Sequence, residues 1–466
     1  MGCLGLSAEI LKDIEQRGIE TIRVLFTDQH GILRGKTIVA SALASAIENG
    51  IGVPSTLLLK DTSHSTVFPV WSADTNIGDL PLGGAGDVIL KPDPKRFFPL
   101  PWSAHSAIIL SDVVGRSGAP VAFSPDAVLA DAAAALDAAG YRAVFGLEVE
   151  FQVFRVTEPG LAHHDATMPP RPVSTENLTQ GYQYLTETRY GEAEALLDDL
   201  RRAAEAMGLK PRTMEIEMGP SQFEFTFAPS DPQNQADRFV LFRTLVKEMC
   251  QARGLHASFM AKPNLPNAAA NGWHMHQSLI DTATGNPVFV PDDGDDAPTA
   301  AASAWIAGLL AHAKACCLMT NPTVNSYKRF TPFQLAPNRI QWGRDNRGAM
   351  IRALMSPGDP ASRIENRVAD TTANPHFAFA AQIHAGLDGL SRGLTAPPAT
   401  ETPYEGAENL PGSLLAAIDA FEASDFAKAR FGEVFVNYLT TLKRAEWDRY
   451  LMTVSDWEQR EYFGLF

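Results

Sequence analysis

The amino-acid sequence predicts a protein of mixed helices and strands in two parts, and three observations carry that expectation. The first ~110 residues read as short β-type runs punctuated by Gly and Pro. From there on, long helical stretches alternate with short strand-like segments. Four of those segments place polar residues along one face only.

The elements follow in order. TIRVLFTDQHGILRGKTI (21–38) has β-branched and aromatic runs around a polar turn, Asp28 to Gly31, and predicts a hairpin. GDVILKPDPKRFFPLPW (86–102) opens as a strand, and its prolines at 92, 94, 99 and 101 predict an irregular connector after it. A boundary is expected near 103–120, dividing 1–112 from 113–466. SPDAVLADAAAALDAAG (124–140) has a Ser cap, Pro and Asp in its first turn and a terminal Gly, which predicts a helix. YGEAEALLDDLRRAAEAMG (190–208) is a second, amphipathic helix with a Gly stop. Residues 231–253, 299–319 and 374–394 add three more, and the chain is helical from Leu410 onward.

Composition bounds the function. The 466 residues carry 39 Lys+Arg against 54 Asp+Glu, a net charge of -15. That balance excludes duplex binding, which needs cationic side chains in bulk; no nucleic-acid partner is expected. Cys3, Cys250, Cys316 and Cys317 form neither a disulfide framework nor a CxxC pattern, so free thiols in a reducing compartment are expected. The first residues lack the apolar core of a leader. The most apolar stretch, 301–319, is interrupted by Ser303, His312 and Lys314. A cytoplasmic protein without a membrane partner is the expectation.

The four one-sided strands carry the chemistry. In 144–154, Phe145, Leu147, Val149, Phe151 and Val153 alternate with Glu148, Glu150 and Gln152. In 213–227, Glu215, Glu217, Gln222 and Glu224 stand opposite Met and Phe. His274 and His276 share a face in 271–279, as do Arg363, Glu365 and Arg367 in 362–368. Any one of these would suit a solvated sheet surface, but four nearly restricted to Glu, His and Arg do not. Carboxylates crowded on one surface repel unless cations lie between them. Oxygen ligands with an occasional imidazole suit Mg2+ or Mn2+, and the lack of cysteine ligands argues against structural zinc. Lys328, Arg329, Arg339, Arg344, Arg347, Arg352, Arg363 and Arg367 add a cationic cluster suited to carboxylates and phosphates. No GxxxxGK[ST] loop is present, so phosphates would be held by metals and arginines.

Six motifs stand in order: EVE at 148–150, ExxPxQxE at 217–224, HMHQSL at 274–279, NSYKR at 325–329, RDNR at 344–347 and RIENR at 363–367. Together they resemble the glutamine synthetase family over nearly the whole chain. The resemblance implies an α+β fold: an N-terminal β-grasp domain plus a catalytic domain whose curved antiparallel sheet is flanked by helices. It implies a homo-oligomer of stacked rings, a dodecamer, with active sites shared between subunits. Glu150, Glu217 and Glu224 would hold a first metal, and Glu148, His274 and Glu365 a second, two or three Mg2+ or Mn2+ ions in all. His276, Ser278, Arg352 and Arg363 would contact ATP as substrate. Arg329 and Arg367 would hold L-glutamate, and Arg347 would also stabilise the phosphoryl group in flight. Arg329, Arg347 and Glu365 form the implied catalytic set; Glu215 receives no role. The segment around Tyr404 is shorter than the tyrosine-bearing adenylylation region of some members.

The departures concern the third substrate. The family's KRLxPGYEAP reads KRFTPFQLAP here, which puts Leu335 at the position of the glutamate that binds ammonium. The family's FDGSS aligns with GVPST (52–56), which puts Val53 at the position of its aspartate. Ala269-Ala270 replaces the Asn-Gly pair before HMH. An ammonium ion needs negative charge and a base, which Leu and Val do not supply. The expectation is therefore an ATP-dependent glutamate–amine ligase of amine catabolism, a γ-glutamylamide synthetase for an aromatic or small alkyl amine. The rivals are an ordinary glutamine synthetase, with Asp61 supplying the missing carboxylate, and a non-catalytic relative.

Overall fold

A computed structural model describes residues 3–72, 76–292, 297–331 and 335–466, with side chains from Glu9 onward. The Cys3 side chain and part of the KRFTPFQLAP segment thus lie outside the described residues. Near the N-terminus, helices α1 (Cys3–Arg17) and α2 (Leu43–Asn49) accompany seven strands. These are β1 (Thr21–Thr27), β2 (Leu33–Val39), β3 (Ile51–Pro54), the short pair β4 (Asn76–Ile77) and β5 (Leu80–Pro81), β6 (Asp87–Pro99) and β7 (Ser106–Val114). A five-stranded sheet runs β2-β1-β7-β6-β3. The expected hairpin is β1–β2, and its turn is fixed by the Asp28 carboxylate, which accepts from the His30 and Ile32 amides at 2.9 Å.

The expected connector after Ile89 is instead continuous strand to Pro99. The pairing of β6 with β7 shifts between Pro92 and Phe97, so the proline-bearing residues bulge while the strand resumes beyond them. The expected division at 112/113 falls inside β7.

The second part is built on a nine-stranded sheet. Its strands are β8 (Tyr141–Glu158), β9 (Ser174–Asn177), β10 (Pro211–Ile216), β11 (Gln222–Ser230), β12 (Leu255–Ser258), β13 (Trp273–Asp281), β14 (Trp342–Arg344), β15 (Ile351–Leu354) and β16 (Arg363–Asn366). The main path is β10-β11-β8-β13-β16-β15-β14, with β9 and β12 also on β8. It is antiparallel except for β14–β15. The helices are α3 (Pro125–Ala138), α4 (Glu187–Ala206), α5 (Pro232–Gln251), α6 (Ala300–Ala311), α7 (Ala313–Thr320), α8 (Pro375–Ser391), α9 (Leu414–Glu422), α10 (Asp425–Leu451) and α11 (Asp456–Tyr462).

One face of this sheet is dry. Phe145, Leu147, Val149, Phe151 and Val153 of β8 are buried, and Phe151 meets Phe242 of α5 edge-on at 5.7 Å. Phe239 of α5 lies 4.6 Å from Trp273 of β13, and Phe379 of α8 lies 4.4 Å from Phe145. Helices cover the apolar face, so the polar face of the same strands is left for chemistry. The helix expected over 299–319 breaks at His312 into α6 and α7, bent by 76°. Among the described residues no single helix is long and apolar enough to cross a membrane.

Candidate active site

Strand register brings the polar residues together. Across β8 and β11, Glu150 stands opposite Glu224; across β8 and β13, Glu148 stands opposite His274. His276 pairs with Glu365 on β16, which in turn pairs with Arg352 on β15. Directly opposed residues in a sheet have neighbouring side chains, so strands far apart in sequence deliver one continuous polar floor.

That floor lines a cavity of about 1250 Å³. Glu148, Glu150, Glu215, Glu217, Glu224, His274, His276, Ser278, Arg329, Leu335, Arg347, Arg352, Arg363 and Arg367 all reach it. Glu365 is fully buried just beneath, 3.6 Å from His274. Glu150, Glu217 and Glu224 each offer an oxygen within 4.8 Å of the others. His274 Nδ1 lies 2.5 Å from Glu148, and His276 Nε2 lies 3.1 Å from the other oxygen of Glu148. The first expected set is thus close-set. Around Glu148, the groups of three whose ligand atoms lie within 4.8 Å of one another are Glu148 with His276 and Glu365, and Glu148 with Glu224 and His274. The expected trio of Glu148, His274 and Glu365 is therefore shared between two groups.

The electrostatics divide the site in two. Burial, and then the Glu150 charge, push the Glu217 carboxyl up to about 8. Burial, then Glu148 and Glu150, raise Glu224 well above the carboxylate range. On the other side burial is outweighed: His274 and His276 hold Glu148 well below its ordinary value, and Arg367 with the same imidazoles lowers Glu365. A carboxylate trio whose charge is disfavoured, beside an imidazole–carboxylate group, is a donor set that fits hard divalent cations.

The arginines sit around this floor. Buried Arg329 donates to the Val368 and Ala369 carbonyls at 2.8 and 3.0 Å. Buried Arg367 donates to Glu365. Among the described residues each keeps a buried Nε without a partner. Arg352 bridges Glu365 at 3.0 Å and Asp345 at 2.5 Å, Arg363 Nε lies 3.2 Å from His276 Nδ1, and Arg347 is exposed at the rim. Gly272 is held close because a Cβ there would lie about 3.1–3.2 Å from Arg329, His274 and Glu150; its amide donates to Glu150 at 2.8 Å. Ala269 and Ala270 line the same wall, where the Ala270 carbonyl accepts from Gln222 at 2.8 Å.

Leu335 lines the cavity as expected, but Val53 does not. Strand alternation turns Val53 into the core of the N-terminal sheet, 1% exposed, and turns Pro54 outward. Asp61, the rival carboxylate, is buried and pairs with Arg449 and with Ser63 of its own turn. Residues 163–165 form a short turn in which His164 approaches Asp165 at 3.5 Å. Sequence reading missed Tyr184, Leu185 and Met218 on the cavity wall. They lie in turns without periodicity, so no pattern marks them. Burial and then Glu217 raise the Tyr184 hydroxyl to about 12, which places that ring beside the carboxylates.

Comparisons with known proteins point to one family. The family model described as "Glutamine synthetase, catalytic domain" matches residues 122–462. A "Gamma-glutamylanilide synthase" of Acinetobacter sp is 34% identical over 98% of this chain and 95% of its own length. A "Glutamine synthetase" of Methanosarcina mazei is 33% identical over 98% of this chain and 97% of its own. A solved structure described as "Apo GmaS without ligand" superposes with a TM-score of 0.82 at 28% identity, covering 97% of this chain and 99% of that one. Another, "GmaS/ADP complex-Conformation 1", gives 0.81 at 27% identity over the same shares.

Proposed function

The chain belongs to the glutamine synthetase family, and from that premise we propose that it joins the γ-carboxylate of glutamate to an amine bearing an aromatic or small alkyl group. Membership makes it an ATP-dependent ligase of a family that uses divalent metals. The choice of amine rests on Leu335, an apolar side chain on the cavity wall, at the position where the resemblance in sequence implies the ammonium-binding glutamate of the family. The similarity to a γ-glutamylanilide synthase supports the same reading.

Glu150, Glu217 and Glu224 hold one cation in this reading, and Glu148, His274 and Glu365 hold a second. Two or three Mg2+ or Mn2+ ions held there would supply the positive charge that offsets these carboxylates and the phosphates of ATP. His276, Ser278, Arg352 and Arg363 contact the nucleotide, and the guanidinium groups of Arg329 and Arg367, which line the cavity, take the carboxylates of glutamate. An oxygen of the γ-carboxylate attacks the γ-phosphorus, the bond to the bridging oxygen breaks, and ADP departs. Arg347 stabilises the charge in transit from the rim. The amine nitrogen then attacks the γ-carbonyl carbon, the carbon–oxygen bond to phosphate breaks, and the nitrogen gives up a proton. A neutral amine needs no carboxylate to bind, which suits Leu335.

Residues 1–112 form the N-terminal unit and 113–466 the catalytic unit in this reading. Copies assemble as stacked rings, a dodecamer in the cytoplasm, with the N-terminal unit of one facing the catalytic unit of the next. Phosphate release with ATP, glutamate, Mg2+ and a panel of amines tests the proposal. Release that requires an amine is expected; none with any amine or with ammonium would favour a non-catalytic relative.

A further inference from the structure

Leu185 and Leu335 share an unusual backbone on two separate loops of the cavity wall, with φ of +55° and +53°. This is the left-handed region, where a Cβ crowds the backbone and Gly or Asn is the ordinary occupant. Leucine has neither glycine's freedom nor the short amide that lets asparagine bond its own backbone. Both side chains are exposed, 55% and 42%, so packing within the chain does not explain why leucine stands at either position. Strain retained without local compensation points to function.

Their surroundings say which function. The Leu185 amide donates to the Ile216 carbonyl at 3.1 Å and the Tyr182 amide to Met218 at 2.9 Å. The loop is thereby fastened to the β10–β11 turn, which carries Glu217 of the carboxylate trio. Met218, 56% exposed, lines the cavity beside them. A second apolar zone lies along the sheet: Val144 stands opposite Ser278, and Leu354 opposite Arg363, at the end assigned above to the nucleotide. Arg329 and Arg367 are assigned above to the glutamate. Of the other apolar lining residues, Leu185 and Met218 are the ones tied to the turn that carries Glu217, a wall those two assignments leave free for the third reactant.

We propose that Leu185 and Leu335, with Met218, form the seat for the apolar group of the nitrogen nucleophile and so set which amines are used; this rests on the amine-ligase reading above. None of the three side chains offers an ammonium ion a negative charge, and only the weakly accepting Met218 sulfur is polar at all, whereas an arene or branched alkyl group loses contact with water by covering them. The left-handed backbone turns each leucine into the chamber and leaves it uncovered until substrate arrives.

Glycine makes the test clean, because it accepts this backbone while removing the side chain. Full-length L185G and L335G are assayed with Mg2+, ATP, glutamate, and whichever of aniline or isopropylamine the unaltered chain uses better. The Michaelis constant for that amine is expected to rise at least about tenfold in each variant, while those for ATP and glutamate stay within about twofold and the melting temperature is not lowered. If either glycine variant unfolds, L185N or L335N replaces it, since asparagine also tolerates the conformation. An unchanged amine constant in a folded variant overturns the proposal, as does an equal loss for all three substrates. So does an unchanged constant with a smaller assembly on size exclusion, which would make the leucines contacts to a second copy. If the unaltered chain turns over ammonium and neither amine, the amine-ligase reading itself falls, a result read before any variant is made.

Discussion

Glu224 is buried and Glu217 half-buried among other carboxylates, and both resist ionisation for that reason. Glu217→Gln removes the cost of holding that carboxyl protonated at neutral pH. In metal-free protein it should therefore stabilise the fold, on the order of 1 kcal/mol, while abolishing the rise in melting temperature that Mg2+ or Mn2+ gives the unaltered chain. A thermal scan with and without metal reads both effects. Leu335→Glu is the complementary change, restoring a carboxylate to the cavity wall. The kcat/KM for ammonium should rise roughly tenfold, the low end of what a placed carboxylate contributes; no change would mean that charge for ammonium comes from elsewhere. Residue types were legible in the sequence where strand alternation exposed them, as with Glu148 and Glu150. They were not legible where direction depends on the strand's setting. Val53 aligns with a functional position yet points into a core, and Leu185 is marked only by a backbone angle.

At the level of elements, β8 does two jobs on its two faces. Phe151 packs against Phe225, Phe242 and Phe259, while Glu150 beside it faces the cavity. Phe151→Ala should cost about 3–5 kcal/mol of stability. Because the strand is what aims Glu148 and Glu150, metal affinity should fall as well, although no ligand is altered; a Mn2+ titration followed by thermal shift checks this. The helices and one-faced strands were readable because period 3.6 and period 2 are local properties. The misreadings have local causes too. Prolines argued against a strand at 92–99, but a bulge absorbs them between Pro92 and Phe97. The apolar run at 301–319 has no proline and its one glycine, Gly308, stays inside α6, yet His312 ends that helix and stacks on Phe426 at 3.7 Å.

Across the whole molecule, the N-terminal sheet is fastened to the catalytic helices by buried charge. Arg96 of β6 donates to both oxygens of Asp237 on α5, at 2.7 and 2.6 Å, and to Asp126 of α3 at 2.7 Å. His376 of α8 lies 3.5 and 3.8 Å from those carboxylates, and Asp112 of β7 is 3.4 Å from Arg96. With the guanidinium in place, this cluster is an ion network rather than a metal site. Arg96→Ala would leave two carboxylates buried without it and should destabilise the protein by about 3–5 kcal/mol. Burial alone would lower the pKa of His376, but Asp126 and Asp237 outweigh it and raise it above the ordinary 6.5. A raised folded-state pKa gives stability that is full below the unfolded value and fades as pH climbs through the folded one. The melting temperature should therefore decline as pH rises above 6.5, and His376→Gln should flatten that decline. No sequence pattern could reveal these contacts, because positions 96, 126, 237 and 376 meet only in the fold. The six motifs, by contrast, were legible because each is a short run on one strand or turn. What they left open is the third substrate, and a competition assay decides it. Purified protein with ATP, glutamate and Mg2+ is given ammonium, aniline and isopropylamine at equal concentration, and the amide products are weighed by mass spectrometry. The account expects the γ-glutamyl amide of aniline or isopropylamine to dominate; glutamine as the main product would contradict it.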